Sequence, residues 1–317
     1  MLKVVSLFSG IGAFEKALSN CKIPHEIVAF SEVDKYAVQA YTAIHGVDPS
    51  KNLGDISKVE AVPDADLITY GFPCQDLSRA GHQLGLEHDG QKTRSGLFFD
   101  ALRLIKKAQP RYAIAENVKL GHKFEKELKL MLDLLDQAGY NSYYAVLDAC
   151  DYGLPQKRER LFIVSIRKDL DNKGFEFPEK KPLQKTMLDY LEKSVSPHFY
   201  LDNAVLSTKG HTTNKACKLV GKLEGAFKTY RDILRRVYSP KGCCPTLTTS
   251  MGGHRQVKIL TEDNNVRKLA PREYWRLMGF TDADFNLCSQ ISNTQLYKLA
   301  GNSICVPVLE EIFKKLF

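Results

Sequence analysis

The chain has 317 residues, 44% of them hydrophobic, enough for one large domain plus a smaller one, and this excludes a peptide, a linker or a disordered tail. No apolar run reaches the roughly 18 residues of a membrane span, and Met1 to Phe8 is too short for a secretory core, so the chain is expected to be soluble and intracellular. The net charge of +8 sits in one place: of 45 basic and 37 acidic residues, Ser207 to Leu260 holds 11 basic and 2 acidic, leaving 34 and 35 elsewhere.

The first half alternates short β-branched or apolar runs with helical patterns, which predicts a doubly wound α/β fold with a mostly parallel sheet. Strands are expected at Lys3 to Leu7, His25 to Ser31, Leu67 to Gly71, Tyr112 to Glu116, Asn141 to Leu147 and Arg160 to Ile166. After the first strand comes Phe8-Ser9-Gly10-Ile11-Gly12-Ala13-Phe14, whose glycines let backbone approach a ligand closely. The second strand ends near Glu32, about 20 positions past that loop, where a carboxylate can accept from ribose hydroxyls. Together with Asp55 in Gly54-Asp55-Ile56, this favours a nucleoside pocket over a purely structural tight turn. The third strand runs into Gly71-Phe72-Pro73-Cys74-Gln75, a thiol at a strand end in the position of a nucleophile. Asp76 to Ser95 lacks an apolar period, contains Gly81, Gly85 and Gly90, and reads as a mobile lid.

Glu116-Asn117-Val118 follows the fourth strand, and Gln156-Lys157-Arg158-Glu159-Arg160 precedes the sixth, so a carboxylate and an arginine can face the thiol. A solvated charge cluster is the plain alternative for the latter. Phe124 to Ala138 places Phe124, Leu128, Met131, Leu132 and Leu135 on one helical face, with Gly139 ending it. Lys168 to Pro182 has the composition of a linker, and a small irregular domain with weak periodicity follows to about Val266. Pro271 to Met278, Thr294 to Ala300 and Pro307 to Leu316 are expected helices. The eight cysteines include no CxxC pair, which argues for free thiols and against a zinc ribbon or a dense disulfide framework. The basic stretch, interleaved with Thr, Ser, Gly and Tyr, suits a polyanion, although an ordinary basic face has the same composition.

In their order along nearly the whole chain, these segments resemble the cytosine-C5 DNA methyltransferases. Phe8 to Phe14 is similar to that family's cofactor loop, Gly71 to Gln75 to its nucleophile motif, Glu116 to Val118 to its acid motif and Gln156 to Arg160 to its paired-arginine motif. Arg267 to Glu273 with Met278-Gly279-Phe280, and Gly301-Asn302-Ser303, resemble its two C-terminal motifs. The resemblance implies a class I S-adenosylmethionine-dependent fold: a catalytic and cofactor domain over 1–185, a small target-recognition domain over 186–275, and C-terminal helices over 276–317 that return to the first domain. Asp76-Leu77 departs from the smaller or aromatic residues common in the family at that place.

The implied chemistry is methyl transfer from S-adenosylmethionine to C5 of a cytosine rotated out of duplex DNA, with Cys74 adding at C6 and Glu116 acting at N3. Arg158 or Arg160 would hold the base carbonyl and Glu116. The resemblance assigns Phe8, Ser9, Gly10, Ile11, Gly12, Ala13, Glu32, Val33, Asp55, Ile56, Pro73, Leu97, Asn302 and Ser303 to the cofactor. It assigns Ser78, Arg231, Arg235, Arg236, Thr246, Thr248 and Arg255 to DNA. It further implies a monomer in a bacterial cytoplasm or a phage setting, beside a separately acting restriction endonuclease where one exists, and no metal. The rival readings are a tRNA cytosine methyltransferase, a catalytically silent DNA-binding module, and a nicotinamide oxidoreductase of the same doubly wound plan; the last lacks the full GxGxxG spacing at Phe8 to Gly12.

Overall fold

A computed structural model describes residues 1–77, 84–202, 204–208, 216–250 and 254–317. The strands are β1 (Leu2–Leu7), β2 (His25–Ser31), β3 (Leu67–Tyr70), β4 (Glu87–His88), β5 (Gln91–Lys92), β6 (Tyr112–Val118), β7 (Tyr140–Asp148), β8 (Glu159–Arg167), β9 (Leu206–Ser207), β10 (Leu219–Leu223), β11 (Arg236–Tyr238), β12 (Lys258–Leu260) and β13 (Val266–Lys268). The α-helices are α1 (Ala13–Asn20), α2 (Lys35–His45), α3 (Phe98–Ala108), α4 (Glu125–Gln137), α5 (Asp232–Arg235), α6 (Pro271–Arg276), α7 (Asp282–Leu287), α8 (Asn293–Asn302) and α9 (Val306–Leu316). The chain divides into two compact units. The first comprises Met1–Leu147, Glu159–Glu179 and Val308–Phe317; the second comprises Asp148–Arg158 and Lys180–Pro307.

The first unit is built on a sheet of order β2-β1-β3-β6-β8-β7. β1 pairs in parallel with β2 and β3, and β3 with β6, whereas β8 runs antiparallel to β6. Strands buried on both faces carry continuous apolar runs, because helices cover each side. On one face Val5, Leu7, Ile68, Tyr70, Ala113 and Ile163 pack with Phe98, Ile105, Met131 and Leu135 of α3 and α4. The alternate residues Val4, Leu67, Ile114 and Phe162 are equally buried. Two polar residues share that interior and satisfy each other, Thr69 Oγ1 donating to Ser6 Oγ at 3.2 Å. Gly139 follows α4 at φ +96°, a left-handed conformation that glycine adopts without a Cβ penalty. From Val308 onward the chain belongs to this first unit, with Phe313 against Phe14 and Phe317 edge-on to Tyr112.

The second unit holds a sheet of order β13-β12-β11-β10-β9, with β11 and β12 parallel and the other neighbours antiparallel. A regular sheet therefore occupies the stretch where the sequence shows weak periodicity. Strands of two to five residues are too short for an alternating pattern to register. Leu223, Val237 and Val266 form its core. Around α6, Arg267 and Glu273 make a fully buried bidentate pair at 2.9 and 2.7 Å, and Glu273 also accepts from the Ala270 and Glu192 amides. This accounts for the Arg267 to Glu273 motif structurally: it locks the start of α6. Lys258 is buried likewise, its ammonium donating to the carbonyls of Leu234, His254 and Gln256. All eight cysteines are free, and the Cys150 thiol lies 3.3 Å from that of Cys243.

Candidate active site

In the first unit the functional segments leave the ends of adjacent strands, where a doubly wound sheet places its ligand crevice. Beyond β1 the chain turns sharply: Phe8, Gly10 and Gly12 all have φ between 55° and 77°, and the Gly12 amide donates to Ser9 O at 2.9 Å. A left-handed Phe8 is strained, the kind of backbone outlier found at ligand sites. Glu32, at the end of β2, accepts from the Gly10 amide at 2.9 Å through one carboxylate oxygen and from Val33 and Asp34 amides at 2.8 Å through the other. A carboxylate has about four acceptor positions, so roughly one remains for a ligand hydroxyl. Val33 is exposed, whereas Ile11, Ala13 and Ile56 are buried. Asp55 caps the short helix at Ile56, and the Ser57 hydroxyl and amide hold its carboxyl below the usual range.

Three residues outside the expected set support this loop. Asn52 accepts from the Glu32 and Gly54 amides and donates to Glu32 O, and Ser31 Oγ donates to Gly54 O at 2.7 Å. The His45 ring lies over the loop, its Nε2 3.2 Å from Ile11 O. Nothing in the local pattern marks them, because their partners are brought together by strand pairing and, for His45, by the packing of α2 against the loop.

Cys74 is half-buried on the loop after β3, beside half-buried Pro73. Asn117, on β6, donates to Phe72 O at 3.0 Å and so ties the thiol's loop to the strand that carries Glu116. Glu116 is buried, and its Oε1 lies 3.1 Å from Arg160 Nε. The antiparallel register explains this pair. Glu116 stands opposite Phe162 and Val118 opposite Arg160, so Glu116 and Arg160 are diagonal neighbours on one face, within reach of long side chains.

Arg158 lies before β8 begins and belongs to the second unit. Its buried guanidinium donates to the carbonyls of Leu247, Gly301 and Ser303 at 2.7 to 3.0 Å. Of the two arginines the sequence offered as partners of Glu116, Arg160 makes that contact, and Arg158 ties segments of its own unit together. Neighbouring Gln156 does the same, donating to Leu277 O and accepting from the Leu247 amide. Asn302 is exposed and Ser303 buried in that unit, and Leu97 is half-buried at the start of α3.

Among the residues expected at DNA, Ser78 lies outside the described residues. Arg231, Thr246, Thr248 and Arg255 are exposed. Arg235 is committed to Glu224 and Leu223 O, and Arg236 to Asp232 through two hydrogen bonds of 3.0 and 2.8 Å. The charge count located the basic stretch but could not show which cations are internally spent.

The geometry defines a doubly wound α/β enzyme with a thiol, a carboxylate and an arginine at adjacent strand ends. Across protein families, residues 2–317 match the model of the C-5 cytosine-specific DNA methylases. The chain is 34% identical to the type II methyltransferase M.HhaI of Haemophilus parahaemolyticus over 98% of this chain and 93% of that one. It is 33% identical to M2.ScrFI of Lactococcus lactis subsp. cremoris over 100% and 99%. Among solved structures, the Entamoeba histolytica methyltransferase EhMeth matches with a TM-score of 0.76 at 15% identity, covering 100% of this chain and 98% of that one, and S. pombe Dnmt2 with 0.74 at 23%, covering 99% and 97%. These two show the fold, that of the class I methyltransferases. The chain belongs to the C-5 cytosine-specific DNA methylase family and is a DNA (cytosine-5-)-methyltransferase. Among the described residues no helix is long and apolar enough to cross a membrane.

Proposed function

We propose that the protein methylates C5 of a cytosine flipped out of a short word in double-stranded DNA, using S-adenosylmethionine, through a covalent Cys74 adduct. The observation that supports this most directly is the Glu116–Arg160 pair on β6 and β8, tied through Asn117 to the loop that bears Cys74. C5 of cytosine is a poor nucleophile. Addition of the Cys74 thiolate at C6, with Glu116 donating at N3, makes C5 enamine-like. Arg160 would orient the Glu116 carboxyl, which it contacts at 3.1 Å, and bind the base carbonyl. Once C5 carries the methyl, loss of its proton to solvent expels the Cys74 thiolate, and return of the N3 proton to Glu116 restores the ring. A thiol on the protein cannot reach C6 inside a stacked duplex, so the base must leave the helix at a cost of a few kcal/mol.

The residues at β1 and β2 fit a nucleoside cofactor. A Cβ at Gly10 would meet nothing within 4 Å, and Glu32 keeps acceptor capacity beside that loop. Phe8 to Ala13 would hold the cofactor's polar end and Glu32 its ribose, with Asp55 and Ile56 at the base. When bound, S-adenosylmethionine supplies an electrophilic methyl on a sulfonium. Gly12→Ala tests the loop: its φ is +77° and the new Cβ would lie 2.0 Å from His45 Nε2. A left-handed alanine alone costs about 1–2 kcal/mol, so calorimetric affinity for the cofactor should fall roughly tenfold or more. Gly10→Ala, whose Cβ would project into the open space proposed for the cofactor, should lose affinity as well, with less loss of stability. Equal, unchanged affinities would reject the loop's role.

Arg231 and Arg255 are the exposed cations proposed to meet DNA phosphate. Replacing both with Gln should reduce the slope of log affinity against log salt by about 2. Arg235→Gln, already paired to Glu224, should leave that slope in place; the reverse pattern would reassign the contact. The overall reading is tested by bisulfite sequencing of plasmid DNA from cells expressing the chain. Protected cytosines at one short word are expected, and none would move the substrate to RNA.

A further inference from the structure

The Leu77 amide donates to Cys74 O at 3.1 Å, so Cys74 opens a four-residue turn whose central residues are Gln75 and Asp76. Both are latched from the same distant dipeptide. Arg94 Nη1 donates to Gln75 Oε1 at 2.8 Å, and Asp76 and Ser95 exchange two bonds, Asp76 N to Ser95 Oγ at 3.1 Å and Ser95 N to Asp76 Oδ2 at 3.2 Å. Asp76 and Ser95 are buried. The receiving side is itself fixed: Thr93 Oγ1 donates to the carbonyls of Gly85 and Leu86, and the Gly96 amide donates to Thr93 Oγ1. Leu77 and Leu86 sit in the main core.

We propose that Arg94 and Ser95 are positioning residues for the nucleophile, holding the two central residues of the Cys74 turn so that the thiol's direction is set from outside its own loop. They touch no reacting atom; they act through Gln75 and Asp76. The arrangement also gives Asp76 a specific purpose: its amide and its short carboxylate exchange two bonds with Ser95. The proposal rests on Cys74 being the nucleophile.

The test is steady-state kinetics on target DNA for Arg94→Gln, Ser95→Ala and Ser95→Thr, with thermal melts alongside. A misaimed nucleophile lowers kcat by about 10²-fold with KM for DNA and cofactor near wild type. Ser95→Thr, which keeps the hydroxyl, should recover most of the Ser95→Ala loss. Because Arg94 acts through Gln75, the Gln75→Ala, Arg94→Gln double variant should be no slower than the worse single one. Arg94→Gln changes an exposed side chain and keeps the protein testable if the buried Ser95 variants melt early. Wild-type kcat in Arg94→Gln, or a double variant as slow as the product of the singles, overturns the proposal. An active Cys74→Ala instead overturns the underlying reading, which separates the two failures.

Discussion

Cys74→Ala is expected to abolish methyl transfer, by about 10⁴-fold or more, while leaving the melting temperature within a few degrees of wild type. The side chain is half-buried on a turn, so truncation to alanine opens no large core cavity. The turn itself is held by the backbone bond from Leu77 and by the side chains of Gln75 and Asp76, none of which involves the thiol. No second thiol in the first unit can substitute. Cys21, the other cysteine there, donates to Glu310 O at the end of α1, and burial together with Glu310 raises its pKa, which opposes thiolate formation. The measurement is labelled-methyl incorporation into plasmid DNA with a parallel melt. Methylation near the wild-type rate would remove the covalent mechanism, while a collapsed melt would show that the thiol is structural.

Arg160→Ala and Arg158→Ala are expected to fail in opposite ways, although the two residues sit two apart in one charged run. Removing Arg160 takes away the cation 3.1 Å from Glu116, and kcat should fall by about 10²–10⁴-fold with little loss of stability, since this arginine is partly exposed at the strand's end. Removing Arg158 strips three carbonyls, those of Leu247, Gly301 and Ser303, of a buried charged donor. A buried carbonyl left unpaired costs about 1–3 kcal/mol, so the loss should reach several kcal/mol and the melting temperature should drop by roughly 10 °C. Single-turnover methyl transfer at low temperature, combined with thermal melts, reads both effects. A stable, inactive Arg158→Ala beside an unstable Arg160→Ala would exchange the two roles.

The six strands of the first unit were legible within a residue or two, as were the glycine turn after β1 and the thiol after β3. Apolar runs, turn glycines and helix caps are written over a few consecutive residues, and a strand buried on both faces leaves no other reading of Val4 to Leu7 or Phe162 to Ile166. The order of motifs along the chain likewise identified the family. What the residues by themselves could not decide is that Arg160 meets Glu116, that Asp76 is clasped by Ser95, that Arg235 and Arg236 are already paired, and that Asp148–Arg158 sits with the second unit. Those depend on antiparallel register and on side chains meeting across tens or hundreds of positions, as Arg158 does with Gly301 and Ser303. Local sequence specifies backbone periodicity because neighbours in the chain share it; the partner of a long charged side chain is specified only when packing has brought distant segments within the roughly 3 Å that a hydrogen bond requires.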